Sequence, residues 1–181
     1  MNRKAWQGSI LDKNVTVRFK KLGDFGEYLA EKLLSQSGFK NVVNLNKELI
    51  LNAKYFDLIA KRGGHAYAIS VKARNKFENS AAGRKLNSRY KLTNNPDLFE
   101  IEAKEKYNSL PAWIAISLDF DAGVFDAYFG LISDLTGNRK GIVMTPQATE
   151  NYESLAKQID LNQIGISETE MQSLKNVYNK Q

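Results

Sequence analysis

Two successive glycines, Gly63-Gly64, separate two runs that each read as a strand, Tyr55–Arg62 and His65–Arg74. A two-residue hairpin turn needs left-handed backbone at its centre, which glycine adopts without steric penalty. Such a turn fixes the register: Arg62 faces His65, Phe56 faces Val71 and Asp57 faces Ser70. Directly opposed Cβ atoms lie about 5 Å apart and diagonal ones about 7–8 Å. Lys72 is diagonal to Asp57 on the same face, because strand side chains repeat every two residues. A turn with an even number of residues about this centre keeps the pairing, and an odd one breaks it. An aspartate and a lysine among Phe56, Leu58, Ile59, Ile69 and Val71 are unexpected on propensity. They must pair, bind a metal or line a wet cleft. The plain alternative is a buried Asp57–Lys72 salt bridge, and buried pairs are poor stabilisers.

The remaining pattern surrounds the hairpin with helices and further strands. Val15, Val17 and Phe19 alternate with Thr16, Arg18 and Lys20, as in a half-exposed strand. Asp24 then opens a helix with Glu27 as its capping-box partner, an apolar face of Phe25, Leu29, Ala30, Leu33 and Leu34, and Gly38 as its end. Asn41–Leu45 is a short strand. Asn75–Asn95 is polar and basic and reads as a mobile loop. After Pro96 a charged helix runs to about Tyr107, followed by strands over Ala112–Leu118 and Val124–Ile132. Beyond Pro146 the spacing predicts two helices, about Ala148–Ile159 and Glu168–Tyr178. The fold class is therefore α/β (α+β), with helices flanking a mixed sheet. Residues 1–146 hold the domain, and 147–181 form a helical extension packed on it or at a dimer interface.

Composition narrows the chemistry. The 181 residues contain no cysteine and one histidine, His65, which excludes disulfides, thiolate zinc sites and multi-histidine centres. His65 falls at the hairpin tip and reads as a turn residue. No apolar run approaches the roughly 20 residues of a membrane span, and no secretory signal is apparent, so a cytoplasmic protein is expected. The net charge of +6 is segregated. Residues 72–91 hold seven bases (Lys72, Arg74, Lys76, Arg84, Lys85, Arg89, Lys91) against one acid, and residues 1–22 hold six against one. A mildly acidic remainder of 13 bases and 18 acids is left. Segregated basicity suits a polyanion partner, the alternative being solvated basic stretches.

A carboxylate beside a lysine suits metal-assisted phosphodiester hydrolysis. Asp57 is a hard oxygen ligand for Mg²⁺, and Lys72 can orient the attacking water or stabilise the transition state. Gly26-Glu27 on an early helix, Phe56-Asp57-Leu58-Ile59-Ala60 on a strand and Ile69-Ser70-Val71-Lys72 on the next together resemble the PD-(D/E)XK nuclease superfamily. Closest in flavour are the archaeal Holliday junction resolvases and Mrr-like restriction endonucleases. The resemblance implies a restriction-endonuclease-like αβββαβ core and a Mg²⁺- or Mn²⁺-dependent DNA endonuclease. Asp57, Glu27 and Val71 would be its metal positions, and Glu27, Asp57, Ser70 and Lys72 its catalytic set. Ser70 departs from the family, which usually carries Asp or Glu there; a hydroxyl is a neutral, weaker Mg²⁺ ligand. Arg74, Lys76, Arg84, Lys85, Arg89 and Lys91 would grip DNA phosphates, with Phe77 and Tyr90 as candidates for base stacking or for local packing. A homodimer is expected, since both relatives commonly cut two strands that way, with no organic cofactor and no membrane. The alternative function is a catalytically silent nuclease fold that only binds nucleic acid. A protein-interaction or small-molecule domain is the third reading.

Overall fold

The glycine pair does what its chemistry requires. In a computed structural model, which describes residues 22–47, 54–80, 83–135, 137 and 139–164, Gly63 and Gly64 have φ of 58° and 83°. They join β2 (Leu58–Arg62) to β3 (His65–Asn75). The observed pairs run from Arg62↔His65 to Leu58↔Ile69, in the register expected from the turn. Around this hairpin lies a six-stranded sheet of order β1-β2-β3-β7-β8-β10, with β1 at Lys40–Asn44, β7 at Leu110–Asp119, β8 at Val124–Leu131 and β10 at Glu153–Asp160. Only β3 and β7 are parallel, which makes the sheet mixed.

Alternation along the central strands sorts side chains onto two faces. Ile69, Val71, Ala73, Ile114 and Ile116 meet the first helix, α1 (residues 22–36), through its Leu29, Ala30, Leu33 and Leu34. Ala68, Trp113 and Ala115 meet Phe99 and Ala103 of α2 (Pro96–Tyr107), with Phe56 between them. Asn95 caps α2, its side chain accepting a hydrogen bond from the Leu98 N–H at 3.2 Å, and Pro96 takes the first turn, where its missing N–H is harmless. The two-faced core and the order α1-β1-β2-β3-α2-β7 match the αβββαβ expectation.

Three local expectations are corrected. Helix α1 is already running at residue 22, so Asp24 does not cap it and Glu27 is free of the capping box. The segment 75–95 is a hairpin, β4 (Phe77–Ser80) with β5 (Gly83–Leu86), followed by β6 (Arg89–Lys91), which pairs with β9 (Gly141–Val143). Arg84 holds that hairpin down: it lies over the Phe77 ring at 4.4 Å and bonds Asp119 and Asp121 at 3.2 and 3.1 Å. The helix expected over 148–159 is instead one short turn, α3 (Pro146–Thr149), followed by β10 on the sheet edge. Bulges between Ser154 and Ala156 and between Ala156 and Ile159 break the two-residue period. They leave Leu155, Ala156 and Ile159 at a spacing that imitates a helix. The expected strand at 15–20, the basic residues before 22 and the helix at 168–178 lie outside the described residues. Among the described residues no helix is long and apolar enough to cross a membrane.

Candidate active site

The site forms where β2 parts from β3. The ladder ends at Leu58↔Ile69, and one residue earlier the Asp57 N–H donates to the Ile69 carbonyl at 2.9 Å while the Asp57 carbonyl accepts from the Leu45 N–H at 2.9 Å. Asp57 thus sits in a fork, and its Oδ2 accepts the Val71 N–H at 2.7 Å. A backbone N–H points in the plane of its sheet, so the carboxylate lies between the two faces rather than on one of them.

Glu27 arrives from α1. Gly26 lets the helix touch β3: a Cβ there would stand 2.5 Å from the Ala73 Cβ. The next residue, Glu27, is thereby brought to the fork, where Asn44 and Asn46 donate to its Oε2 and Oε1 at 3.2 and 3.0 Å. Lys72 comes from β3, on the face it shares with Ala68 and Ala115. Ser70 is fully buried, and its Oγ has no well-formed hydrogen bond, although it lies close enough to Asp57 to favour the ionised carboxylate.

Electrostatics couple the three charged groups. Burial pushes the Asp57 carboxyl above its ordinary range; the Lys72 charge and the Val71 N–H oppose this. Burial likewise raises Glu27, the Asn46 hydrogen bond lowers it and the Asp57 charge raises it further. Burial draws Lys72 below the ordinary lysine value, against the pull of Asp57. No ion pair of 4.0 Å or less joins Asp57 to Lys72 among the described residues, so the two do not form the simple buried salt bridge.

A hard cation suits this donor set. The Asp57 charge raises Glu27, and the buried Ser70 hydroxyl beside Asp57 has no well-formed hydrogen bond. Mg²⁺ is commonly held by one or two carboxylates with water and phosphate oxygens completing the shell. Among the described residues no three His, Cys, Asp or Glu side chains converge, so the remaining ligands would be neutral oxygens. Val71, expected at the metal, holds Asp57 through its N–H.

Next to Lys72 opens a cleft of about 450 Å³ lined by Lys54, Tyr55, Lys72, Arg74, Lys91, Leu92, Thr93, Asn94 and Asn95. Four of these residues are cations and none is an acid. Arg74 and Lys91 belong to the expected grip; Lys54 was not among the expected residues. Lys76 instead bonds the buried Asp126 at 2.9 Å, Arg84 is committed to Asp119 and Asp121, and Lys85 faces Glu78 across the β4–β5 hairpin. Arg89 sits in β6 opposite Val143. Tyr90 is buried, its hydroxyl pushed up to about 12 by that burial, and Phe77 lies under Arg84, so both aromatics serve local packing. His65 opens β3 opposite Arg62, as a turn-flanking residue. Sequence reasoning missed Asn44, read only as part of the strand Asn41–Leu45, and Asn46; both reach Glu27 only through the fold.

With this geometry in hand, the chain compares with known proteins as follows. No family model matches the sequence, and no curated protein matches it. The fold resembles that of an archaeal Holliday junction resolvase. The solved structure is Hjc of Archaeoglobus fulgidus, 14% identical, with a TM-score of 0.49 over 74% of this chain and 97% of that chain.

Proposed function

We propose that the chain is a divalent-metal-dependent nuclease that hydrolyses phosphodiester bonds in DNA. The observation that carries this is the meeting of Asp57, Glu27 and Lys72 beside a cleft lined by four cations and no acid. Asp57 and Glu27 would hold a Mg²⁺ or Mn²⁺ ion, which would lower the pKa of a water and neutralise charge on the phosphate. Lys72, with its proton held less tightly than in water, donates to a phosphate oxygen or orients the attacking water. Arg74, Lys91 and Lys54 bind the flanking phosphates and position the strand. Cutting both strands of a duplex or a junction needs two such sites, which a homodimer supplies.

The test is cleavage of labelled four-way junction, linear duplex and single-stranded DNA in EDTA, Mg²⁺ and Mn²⁺. Cutting in either metal and none in EDTA is expected. Lys54→Ala with Lys91→Ala lowers the dependence of log K on log salt by roughly 2, about 0.9 for each lost phosphate contact. The second reading, a fold that binds DNA without cutting it, is favoured by the neutral Ser70. It requires equal affinity in EDTA and in metal, with no product.

The raised carboxylates also give the metal a pH signature. Both folded values lie above the unfolded ones, so in the metal-free protein these two groups favour folding most below the ordinary carboxylate range. That contribution is lost as pH rises through the folded values. A cation binds the ionised pair and reverses this at neutral pH. Melting curves with and without saturating Mg²⁺ should show the largest rise in Tm near neutrality. The rise should shrink on acidification at a pH above that at which free carboxylates titrate. A Mg²⁺ effect independent of pH contradicts the assignment.

A further inference from the structure

Asn44, the last residue of β1, and Asn46, on the turn after it, both donate to Glu27, and they differ in what they have left to offer. Asn44 is saturated. Its Nδ2 donates to Glu27 Oε2 at 3.2 Å and Glu31 Oε1 at 2.7 Å, and its Oδ1 accepts from the N–H groups of Asn46 and Lys47 at 2.9 and 3.1 Å. A side-chain amide has two hydrogens and two lone pairs, so no capacity remains. Asn44 builds the turn and aims Asn46. The side chain of Asn46 is exposed; its Nδ2 donates to Glu27 Oε1 at 3.0 Å, and its amide lies near enough to Asp57 to pull that carboxyl down against burial. Among the described residues nothing donates to its Oδ1.

A primary amide that donates to one carboxylate and lies beside a second offers positive N–H charge where a cation would otherwise go. Its other end is an oxygen. A half-turn of the amide exchanges donor for acceptor without moving the backbone, and hard divalent cations take amide oxygens alongside carboxylates.

We infer that Asn46 is a metal-site residue, its amide oxygen supplying the neutral ligand that this chain places between Glu27 and Asp57. The inference rests on the metal-dependent reading above and names one further ligand for it. The Asn46 N–H₂ donates to Glu27; a half-turn of the amide would present its oxygen to a cation held by Glu27 and Asp57.

The experiment is Mn²⁺ binding to the full chain, followed by electron paramagnetic resonance of the free ion, for wild type, Asn46→Ala, Asn46→Asp and Asp57→Asn. Asn46→Ala should weaken Mn²⁺ about tenfold, and Asn46→Asp, of nearly identical shape, should strengthen it by a similar factor. If Asn46 only stands in for the cation, its removal leaves Mn²⁺ affinity unchanged or raises it, and the inference is overturned. Should the alanine variant misfold by circular dichroism, the aspartate variant decides: unchanged affinity there overturns the inference. Binding lost in Asp57→Asn but indifferent to both Asn46 variants removes this inference and keeps the metal site. Binding indifferent to Asp57→Asn removes both.

Discussion

If the chain is the metal-dependent nuclease proposed above, replacing Asp57 by asparagine should abolish cleavage without unfolding the protein. The amide keeps an oxygen acceptor for the Val71 N–H, so the in-plane hydrogen bond that fixes the fork is preserved. What disappears is a charge that burial disfavours and that raises its neighbour Glu27. Stability of the metal-free protein should therefore hold. The rate should fall a thousandfold or more, about 4 kcal/mol of lost transition-state stabilisation. Single-turnover cleavage and melting curves, run side by side, check both halves. A variant that cuts within a factor of about ten of wild type would show that Asp57 does not hold the metal.

Gly26→Ala is the second large effect, and it acts through geometry. The added Cβ would lie 2.5 Å from the Ala73 Cβ, where ordinary contact needs 3.4–4 Å. Helix α1 must retreat by roughly an ångström, and overpacking of this kind costs about 1–3 kcal/mol. Glu27 moves with the helix. A displacement of about 1 Å at a catalytic group can lower a rate roughly a hundredfold. The remaining neighbours of the new methyl group, Ala73 Cα and Val71 Cγ1, are both at 3.7 Å, which is comfortable. Adding Ala73→Gly should consequently restore both stability and cleavage, and a double-mutant cycle measures the coupling. Additive losses would place the effect elsewhere than at this contact.

Legibility from sequence followed the range of the interactions. Gly63-Gly64 carries its register locally, so the pairing of β2 with β3 could be read from the numbers as far as Leu58↔Ile69. The pairs expected beyond it, Asp57 with Ser70 and Phe56 with Val71, do not form: the chain leaves the ladder at Asp57, whose carbonyl accepts from Leu45, and Phe56 packs on the α2 face while Val71 packs on the α1 face. The amphipathic face of α1 and the cap of α2 were legible for the same reason. The β4–β5 hairpin was not. Its strands are short and polar, and its anchors, Asp119 and Asp121, lie far along the chain from Arg84. Strand β10 was misread because its bulges, with Gln158 at a φ of 52°, replace alternation by a helix-like spacing. At the site, Glu27, Asp57 and Lys72, chosen from the sequence, are brought close enough to shift one another's protonation. The roles of Asn44 and Asn46 depend on a turn that folds back onto α1, and polar residues in turns are too common to stand out. The basic run 72–91 was legible as charge but not as a surface, since Lys76 and Arg84 answer acids elsewhere in the fold.

On the proposed function, Asp57 and Glu27 share a divalent cation beside Lys72. Crystals soaked in Mn²⁺ and measured for anomalous scattering test it without recourse to a substrate. The account predicts a strong peak between the Asp57 and Glu27 carboxylates, absent from crystals of Asp57→Asn. A map with no peak there, or with Mn²⁺ bound only at other carboxylates, would contradict it.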